Sequence, residues 1–228
     1  MIGGVKELDM RDLFQEELVA INNDIAQMAD LVGKAINKAT ESLLFSDREI
    51  AERVIESDVL LNDLASALDE RCTMLTARQQ PVATELRSVL GSMRIASSME
   101  RMGDLAVHVA KSARLRYPAR AVPDELVETF RTLGHLAEEL TVQLSRLVTN
   151  PDVTLAQDIQ KADDKVDALH RELFRIVLSP DWSHGVEAAV DVTLLSRYYE
   201  RFADHAVSVA RRIIHVLTGE PYIDTVLH

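Results

Sequence analysis

The sequence carries the same acidic motif at equivalent places in its two halves. Residues 100–111 read Glu-Arg-Met-Gly-Asp-Leu-Ala-Val-His-Val-Ala-Lys, and residues 200–211 read Glu-Arg-Phe-Ala-Asp-His-Ala-Val-Ser-Val-Ala-Arg. Seven of the twelve positions are identical. Heptad helices in general share Ala and Val positions, but they do not share two copies of Glu-Arg-x-x-Asp. The pattern therefore predicts an internal duplication.

The segments before the two motifs also align, but at a different offset. Asp47 matches Asp152 and Asp58 matches Asp163, each 105 residues apart, whereas the motifs are 100 residues apart. Each half therefore contains the same order of segments. The smaller offset at the motif predicts that the second half has a shorter loop before its third helix.

Apolar residues recur at helical spacing along the chain. From Phe14 to Leu43 they follow one another at steps of three and four residues, which predicts an amphipathic helix and excludes an alternating strand. Aromatic residues make up only 4% of the chain, and six prolines and eight glycines are few for 228 residues. This balance suits long helices packed through small aliphatic side chains. The sequence therefore predicts an all-α fold of two tandem antiparallel three-helix bundles.

Turn and capping residues divide the chain into segments. The first helix is predicted to end near Phe45, and Ser46 with Glu49 forms a capping box for the second. Asn150 and Pro151 are predicted to be the N-cap and first residue of the fifth helix. The predicted organisation is a tail or expression remnant over 1–9, a first bundle over 10–117, a linker over 118–122, a second bundle over 123–217 and a C-terminal tail over 218–228.

The charge balance and the termini restrict the class of partner. A net charge of −12 disfavours binding to nucleic acid or anionic lipid and favours cations or a basic patch on a protein. The single cysteine, Cys72, cannot form an intramolecular disulfide and fits a reducing compartment. No secretion signal or membrane-spanning apolar run is visible. We therefore predict a cytoplasmic protein without a nucleic-acid partner and without direct membrane insertion.

Carboxylates four residues apart lie on the same face of a helix, and each motif contains such a pair. Like charges at this spacing destabilise a helix by a few tenths of a kcal/mol. A hard cation held by several carboxylate oxygens would remove that repulsion. The acidic pairs are Glu100 with Asp104, Glu200 with Asp204 and Asp163 with Asp167, whereas Asp58 has Asn62 at the corresponding position.

A solvated charged face is the alternative interpretation of these carboxylates. Arg101 and Arg201 would then be their ion-pair partners, and the sequence leaves both interpretations open. The heptad spacing of the last helix places Glu200 and Asp204 outside its apolar seam, which predicts a surface site and not a buried cavity. His108 and His205 lie beside the motifs and are candidate accessory ligands.

Motifs of several enzyme classes are absent from the sequence. It has no Glu-x-x-His pair of the kind found in di-metal helical bundles. It also has no Gly-rich phosphate loop, no Gly-x-Ser-x-Gly segment and no paired-cysteine site. We therefore predict that the protein is not an enzyme. The alternatives are a helical-bundle protein that binds or stores metal, a metal-dependent enzyme of that type, and a structural scaffold, which would not need the duplicated acidic motif.

Two segments of the chain resemble the signature helices of the PhoU family. They span 93–104 and 195–206, and the resemblance extends from about Met10 to Leu217. It implies a negative regulator of phosphate uptake and of phosphate-starvation signalling, which acts between a phosphate ABC transporter and a sensor histidine kinase of the PhoR type. It further implies a homodimer that reaches the inner face of the membrane through its partners.

The resemblance also implies where a metal would bind. Some members of this family carry iron or other metals on the acidic motifs and others are metal-free, so iron, zinc, manganese and magnesium are candidates. Asn62 stands where the family usually has Asp, and His108 and Ser208 replace a frequent Asn. The first site therefore has one carboxylate fewer. The implied ligands are Asp58, Glu100 and Asp104 in the first half, and Asp163, Asp167, Glu200 and Asp204 in the second.

Overall fold

The computed structural model describes residues 3–219, and the side chains of residues 12–219. Within that range it contains six α-helices, a short 3₁₀ turn and no strand, so the predicted all-α fold is confirmed. The helices are α1 (Gly3–Phe45), α2 (Arg48–Gln79), α3 (Thr84–Arg116), α4 (Val127–Thr149), α5 (Val153–Val177) and α6 (Gly185–Thr218), and the 3₁₀ turn is Asp124–Leu126.

The six helices form two three-helix bundles that pack side by side. In the first bundle α2 packs on α1 and α3, and in the second α5 packs on α4 and α6. The bundles meet through contacts of α1 with α4 and of α3 with α6. The buried apolar side chains of both halves form one continuous core. The predicted linker is part of it, because Ala121 and Val122 are only 5% and 2% exposed.

Small and polar residues bring α1 and α4 close together. A Cβ atom on Gly134 of α4 would lie only 2.3 Å from Cγ2 of Thr40 on α1. The Thr40 hydroxyl also shares a hydrogen bond of 2.7 Å with the hydroxyl of Tyr199, which is fully buried on α6. Because a buried hydroxyl needs a partner, this bond satisfies both groups and links α6 to α1 inside the core.

Two predicted helix starts lie slightly too early in the chain. The N-cap of α2 is Asp47, which accepts the backbone N–H of Ile50 at 2.9 Å, whereas Ser46 has a positive φ of 52° at the end of α1. The N-cap of α5 is Asp152, and Asn150 is the C-terminal cap of α4. A carboxylate caps a helix at least as well as a hydroxyl, and the repeat alignment pairs these two aspartates.

The predicted shorter loop in the second half is wrong. The connection between α5 and α6 spans 178–184 and is longer than the connection between α2 and α3, which spans 80–83. The shortening lies in the helix, because α5 has 25 residues and α2 has 32. An offset between aligned motifs counts missing residues but does not show whether a helix or a loop lost them.

The ends of the chain differ from the predicted tails. Helix α1 begins at Gly3, so residues 3–9 of the segment predicted as a tail or expression remnant are part of the first helix. At the other end Thr218 closes α6, and Gly219 caps it with a positive φ of 78°. The rest of the predicted C-terminal tail, 220–228, lies outside the described residues. Among the described residues, no helix is long and apolar enough to cross a membrane.

Candidate functional site

The acidic motif of the first half lies where α3 packs on α2. Asp58 on α2 accepts a hydrogen bond from Nδ2 of Asn62 at 3.0 Å, and Asp104 on α3 accepts one from Arg101 at 3.2 Å. Burial raises the pKa of Asp58, the Asn62 hydrogen bond lowers it, and the charge of Asp104 raises it further. The charges in this half are therefore matched in part by polar neighbours.

A glycine sets the distance between α2 and α3 at this site. A Cβ atom on Gly103 would lie 2.3 Å from Cδ2 of Leu61 and 3.3 Å from Oδ1 of Asp58. The second half has Ala203 at the equivalent position, and that residue is buried. The first-half helices therefore approach each other at the motif at a point where only glycine fits without a shift of Leu61.

The acidic motif of the second half lies where α6 packs on α5, and its carboxylates are more deeply buried. Asp163 on α5 is only 8% exposed. Its Oδ1 atom and the Oε2 atom of Glu200 are buried without a hydrogen-bond partner. Burial chiefly raises the pKa of Asp163 to about 7, and the charges of Asp167, Asp204, Asp164 and Glu200 raise it in that order of size. Buried like charges without partners are costly to ionise.

Glu200 is in a similar environment and has a cationic neighbour. Burial, followed by the charge of Asp204, raises the pKa of Glu200 to about 7, and the charge of Arg197 opposes that rise. Arg197, three residues earlier on α6, forms an ion pair with Glu200. In the alternative interpretation of a solvated charged face, Arg101 does pair with Asp104, whereas Arg201 forms none of the ion pairs identified around Glu200 and Asp204. The sequence contained the signal for Arg197, since residues three apart on a helix are neighbours.

The prediction that Glu200 and Asp204 lie at the bundle surface is only partly correct, because both residues are half-buried. The side chain of Glu200 is only 13% exposed, and burial is the largest cause of the raised pKa of Asp204. The heptad spacing identified one apolar seam, but α6 packs on α3, α4 and α5 together. The face outside that seam is therefore covered by α5.

The two candidate accessory histidines lie along the contact between α3 and α6. His108 of α3 stacks on Tyr198 of α6, with ring centroids 5.1 Å apart and ring planes at 21°. Burial lowers the pKa of His205, and the nearby charges of Arg201 and Arg101 lower it further. Their described neighbours are therefore an aromatic ring and two guanidinium groups.

The carboxylates are brought together in pairs and do not form a complete metal site. Within the described side chains, no group of three or more His, Cys, Asp or Glu residues is arranged to hold a metal ion. The donor chemistry fits a hard cation best in the second half, where Asp163 and Glu200 each present a buried oxygen without a partner. In the first half the corresponding buried oxygen belongs to the neutral amide of Asn62. Metal binding to the two motifs stays a prediction.

The two halves of the chain both match one family of known domains. The family described as "PhoU domain" matches residues 25–113 and again 130–213. These two matches fit the predicted tandem duplication, and the second is the shorter. They cover all six helices in whole or in part.

Relatives with similar sequences carry phosphate-transport names. The phosphate-specific transport system accessory protein PhoU homolog 2 of Mycobacterium tuberculosis is 43% identical over 210 residues, which cover 92% of this chain and 99% of that protein. Homolog 1 of Mycobacterium leprae is 42% identical over 218 residues, which cover 95% of this chain and 98% of that protein.

Two crystal structures have the same fold. The phosphate transport system regulatory protein PhoU from Streptococcus pneumoniae has a TM-score of 0.83 at 26% identity and covers 92% of this chain and 99% of its own. PhoU from Pseudomonas aeruginosa has a TM-score of 0.79, also at 26% identity, and covers 90% of this chain and 99% of its own. The fold of two tandem bundles is therefore that of these regulators.

Proposed function

Because the chain belongs to the PhoU family, we propose that it is a negative regulator of phosphate uptake and of phosphate-starvation signalling. The family match in both halves, together with relatives that align over nearly their whole length, carries this proposal. The family consists of regulatory accessory proteins and not of enzymes. The alternatives of a metal-storage bundle or a metal-dependent enzyme find no support in the relatives' names, which describe phosphate-transport proteins.

The protein acts in this proposal as an adaptor between a phosphate ABC transporter and a sensor histidine kinase of the PhoR type. Long helices in one continuous core give it a rigid surface, and its net charge is −12. Such a surface suits basic patches on partner domains, because complementary charge speeds association and selects partners. Within the two motifs, Asp104 is 39% exposed and Asp167 is 37% exposed, so a partner can reach both.

The acidic motifs have two candidate roles in docking. In the first, a bound cation joins the motif to the partner, and chelation weakens binding while the bundles stay folded. In the second, the carboxylates contact basic residues of the partner directly. Chelation then has no effect, and added salt weakens binding because it screens the exposed charges.

Retrieval of partners from phosphate-replete cells tests the adaptor proposal. With the full chain as bait, we expect transporter subunits or the kinase to be retained. The double variant Asp104→Asn/Asp167→Asn should retain severalfold less. The matched control is Asp30→Asn/Asp158→Asn, because each of these four aspartates pairs with a basic residue three or four positions away. Equal losses in both double variants would contradict a role for the motifs.

The phenotype of a deletion strain tests the regulatory role itself. In a strain without a second copy, loss of the protein should leave phosphate-starvation genes expressed when phosphate is plentiful. Normal repression of those genes in that strain would contradict the adaptor proposal, even if the partner-retrieval experiment succeeds. Complementation with the Asp30→Asn/Asp158→Asn control should restore repression.

The proposal also includes a homodimer located in the cytoplasm at the inner face of the membrane. The mass of one chain is 25.5 kDa, so light scattering after size-exclusion chromatography distinguishes the dimer from the monomer. Fractionation of cells with and without the transporter tests the location, because attachment through a partner should disappear with that partner.

A further inference from the structure

A basic crevice lies between the start of α3 and the end of α6, and we propose that it binds a phosphoryl oxyanion. Its volume is about 430 Å³. Among the described residues, no Asp or Glu side chain forms part of its lining. The site is separate from the acidic motifs and does not depend on the docking function proposed above. Its lining consists of Ala83, Leu86, Arg87, Leu90, Gly91, Arg94, Arg212, His215 and Val216.

Three guanidinium groups line one crevice of a chain whose net charge is −12. Arg87 and Arg94 come from α3, and Arg212 comes from α6. Arginine is charged at all relevant pH values. A dianion bound in the crevice would be attracted by these guanidinium groups.

The duplicated fold contains an internal control for this crevice. Helices α3 and α6 are equivalent helices of the two halves and run antiparallel. The end of α3 therefore lies beside the start of α6 in the same way as the end of α6 lies beside the start of α3. At that end Arg116 of α3 pairs with Asp191 at 2.6 Å and with Glu187 of α6. The fold alone therefore does not require a basic crevice. The positions equivalent to Arg87, Arg94, Arg212 and His215 are Glu187, Leu194, Ser112 and Leu115.

The first turn of α3 borders the crevice and lacks a side-chain cap, although the N–H of Glu85 donates to the carbonyl of Val82 at 3.1 Å. The N-cap residue, Ala83, lines the crevice and has no side chain that could cap the first backbone N–H groups. Uncapped N–H groups at a helix start attract oxyanions. The Nε atom of Arg87 is buried without a hydrogen-bond partner, and its Nη2 donates to Thr84 at 3.3 Å. The Arg87 guanidinium also lies beside Gly219 and so faces the negative end of α6.

The donor set and the size of the crevice indicate the class of ligand. Guanidinium groups bind phosphate oxygens in bidentate geometry, and a phosphoryl group has enough oxygens to accept from more than one arginine. The volume is larger than one inorganic phosphate needs, and Leu86, Leu90 and Val216 offer apolar surface for an organic group. A phosphorylated metabolite of the size of a nucleoside monophosphate fits best, and inorganic phosphate would use the same arginines.

Titration of the full-length protein with inorganic phosphate and with AMP tests the proposal. We expect binding that the double variant Arg87→Gln/Arg94→Gln weakens by about tenfold or more, because two charge-assisted hydrogen-bonding groups are lost. The control is Arg114→Gln/Arg120→Gln, which removes the same charge near the other end of α3 and should bind as the unmodified protein does. Circular dichroism and thermal melting establish that each variant folds.

The outcomes separate the sources of the oxyanion. Tighter binding of AMP supports the crevice as a site for phosphorylated metabolites, and equal or tighter binding of inorganic phosphate supports free phosphate as the ligand. Two outcomes would overturn the proposal. One is that neither probe binds the unmodified protein at millimolar concentration. The other is that both double variants weaken binding equally, which would show a diffuse charge effect in place of a site.

Discussion

The acidic motifs of the two halves occupy equivalent places in the repeat and differ in how their charges are balanced. In the first half Asp58 accepts a hydrogen bond from Asn62. In the second half Asp167 takes the place of Asn62, and buried oxygens of Asp163 and Glu200 have no partner. One Asn-to-Asp difference therefore separates a hydrogen-bonded pair from a cluster of like charges. A duplicated fold can thus keep one copy of a site in which the carboxylate is hydrogen-bonded and another in which the carboxylates repel one another.

The two sites also differ in the small residue at which their helices meet. Gly103 brings α3 against Leu61 of α2, whereas the second half has Ala203 at that position. The acidic residue on the second helix is more buried in the second half than in the first. Asp163 is 8% exposed, whereas Asp58 is only partly buried. The half with glycine at the helix contact is therefore the half in which the carboxylate on the second helix is less buried.

Neutralising the most buried carboxylate should have the largest effect. The pKa of Asp163 is about 7 in the folded protein and about 3.9 in an unfolded chain. The folded state therefore holds this proton more tightly, and the stability that depends on it is lost as the pH rises from about 4 to about 7. Asp163→Asn removes that loss. It should raise the free energy of unfolding by about 1–3 kcal/mol near pH 8 and change it little near pH 4.

Urea unfolding in the presence of a chelator measures this effect without interference from metal. Asp58→Asn is the equivalent change in the first half and should give a smaller gain, because the Asn62 hydrogen bond already lowers the pKa of Asp58. Asp158→Asn, on the same helix as Asp163 and 48% exposed, is the control. A gain for Asp163→Asn that does not depend on pH would contradict the electrostatic account of the second site.

Exchanging the small residues of the two motifs should have the next largest effect. Gly103→Ala adds a Cβ atom 2.3 Å from Cδ2 of buried Leu61, and overpacking costs more than the helix propensity gained by alanine. We expect a loss of about 1–2 kcal/mol of unfolding free energy. Ala203→Gly should cost about 1 kcal/mol, because it adds backbone freedom and leaves a small void. Thermal or urea unfolding of both variants measures these losses. Leu61→Ala removes the side chain that the new Cβ atom would meet. A loss for Gly103→Ala that is equally large with and without Leu61→Ala would contradict the packing argument.

The sequence alone predicted the fold and the duplication. These features depend on short-range patterns, such as the spacing of apolar residues and the repeated Glu-Arg-x-x-Asp, which any helix of this kind must show. The end of the first helix at Phe45 is also confirmed. Such patterns lie within one helix and need no knowledge of its neighbours.

The burial of the second site could not be predicted in the same way. A heptad pattern shows that one face of α6 is apolar, but Glu200 is covered by α5, which packs on a different face. The choice of Arg197 over Arg201 as the partner of Glu200 depends on side-chain directions in that contact. The basic crevice combines α3 and α6 residues that are more than 100 positions apart, so no local pattern indicates it.

Metal titration should separate the two motifs by a smaller amount. With Mn²⁺ as the probe, we expect Asp204→Asn to weaken binding to the protein by about tenfold, since one of the four carboxylates predicted as ligands in the second half is lost. Asp104→Asn should weaken it much less, because the first site has the neutral Asn62 in place of a carboxylate. Isothermal titration, with elemental analysis of the purified variants, measures both. Equal metal content in the two variants would contradict the assignment of the tighter site to the second half.

Converting the first motif into the second tests the comparison directly and should have the smallest effect on stability. Asn62→Asp removes the hydrogen bond to Asp58 and places two like charges four residues apart on α2. The expected loss is about 0.5–1 kcal/mol of unfolding free energy near pH 8, declining as the pH falls because protonation restores a donor between the two carboxyls. Urea unfolding at several pH values measures the loss. The same variant should bind Mn²⁺ more tightly at the first motif, since it gains an oxygen ligand and a charge. A stability loss without any gain in Mn²⁺ binding would show that the charge difference between the halves does not determine their affinity for cations.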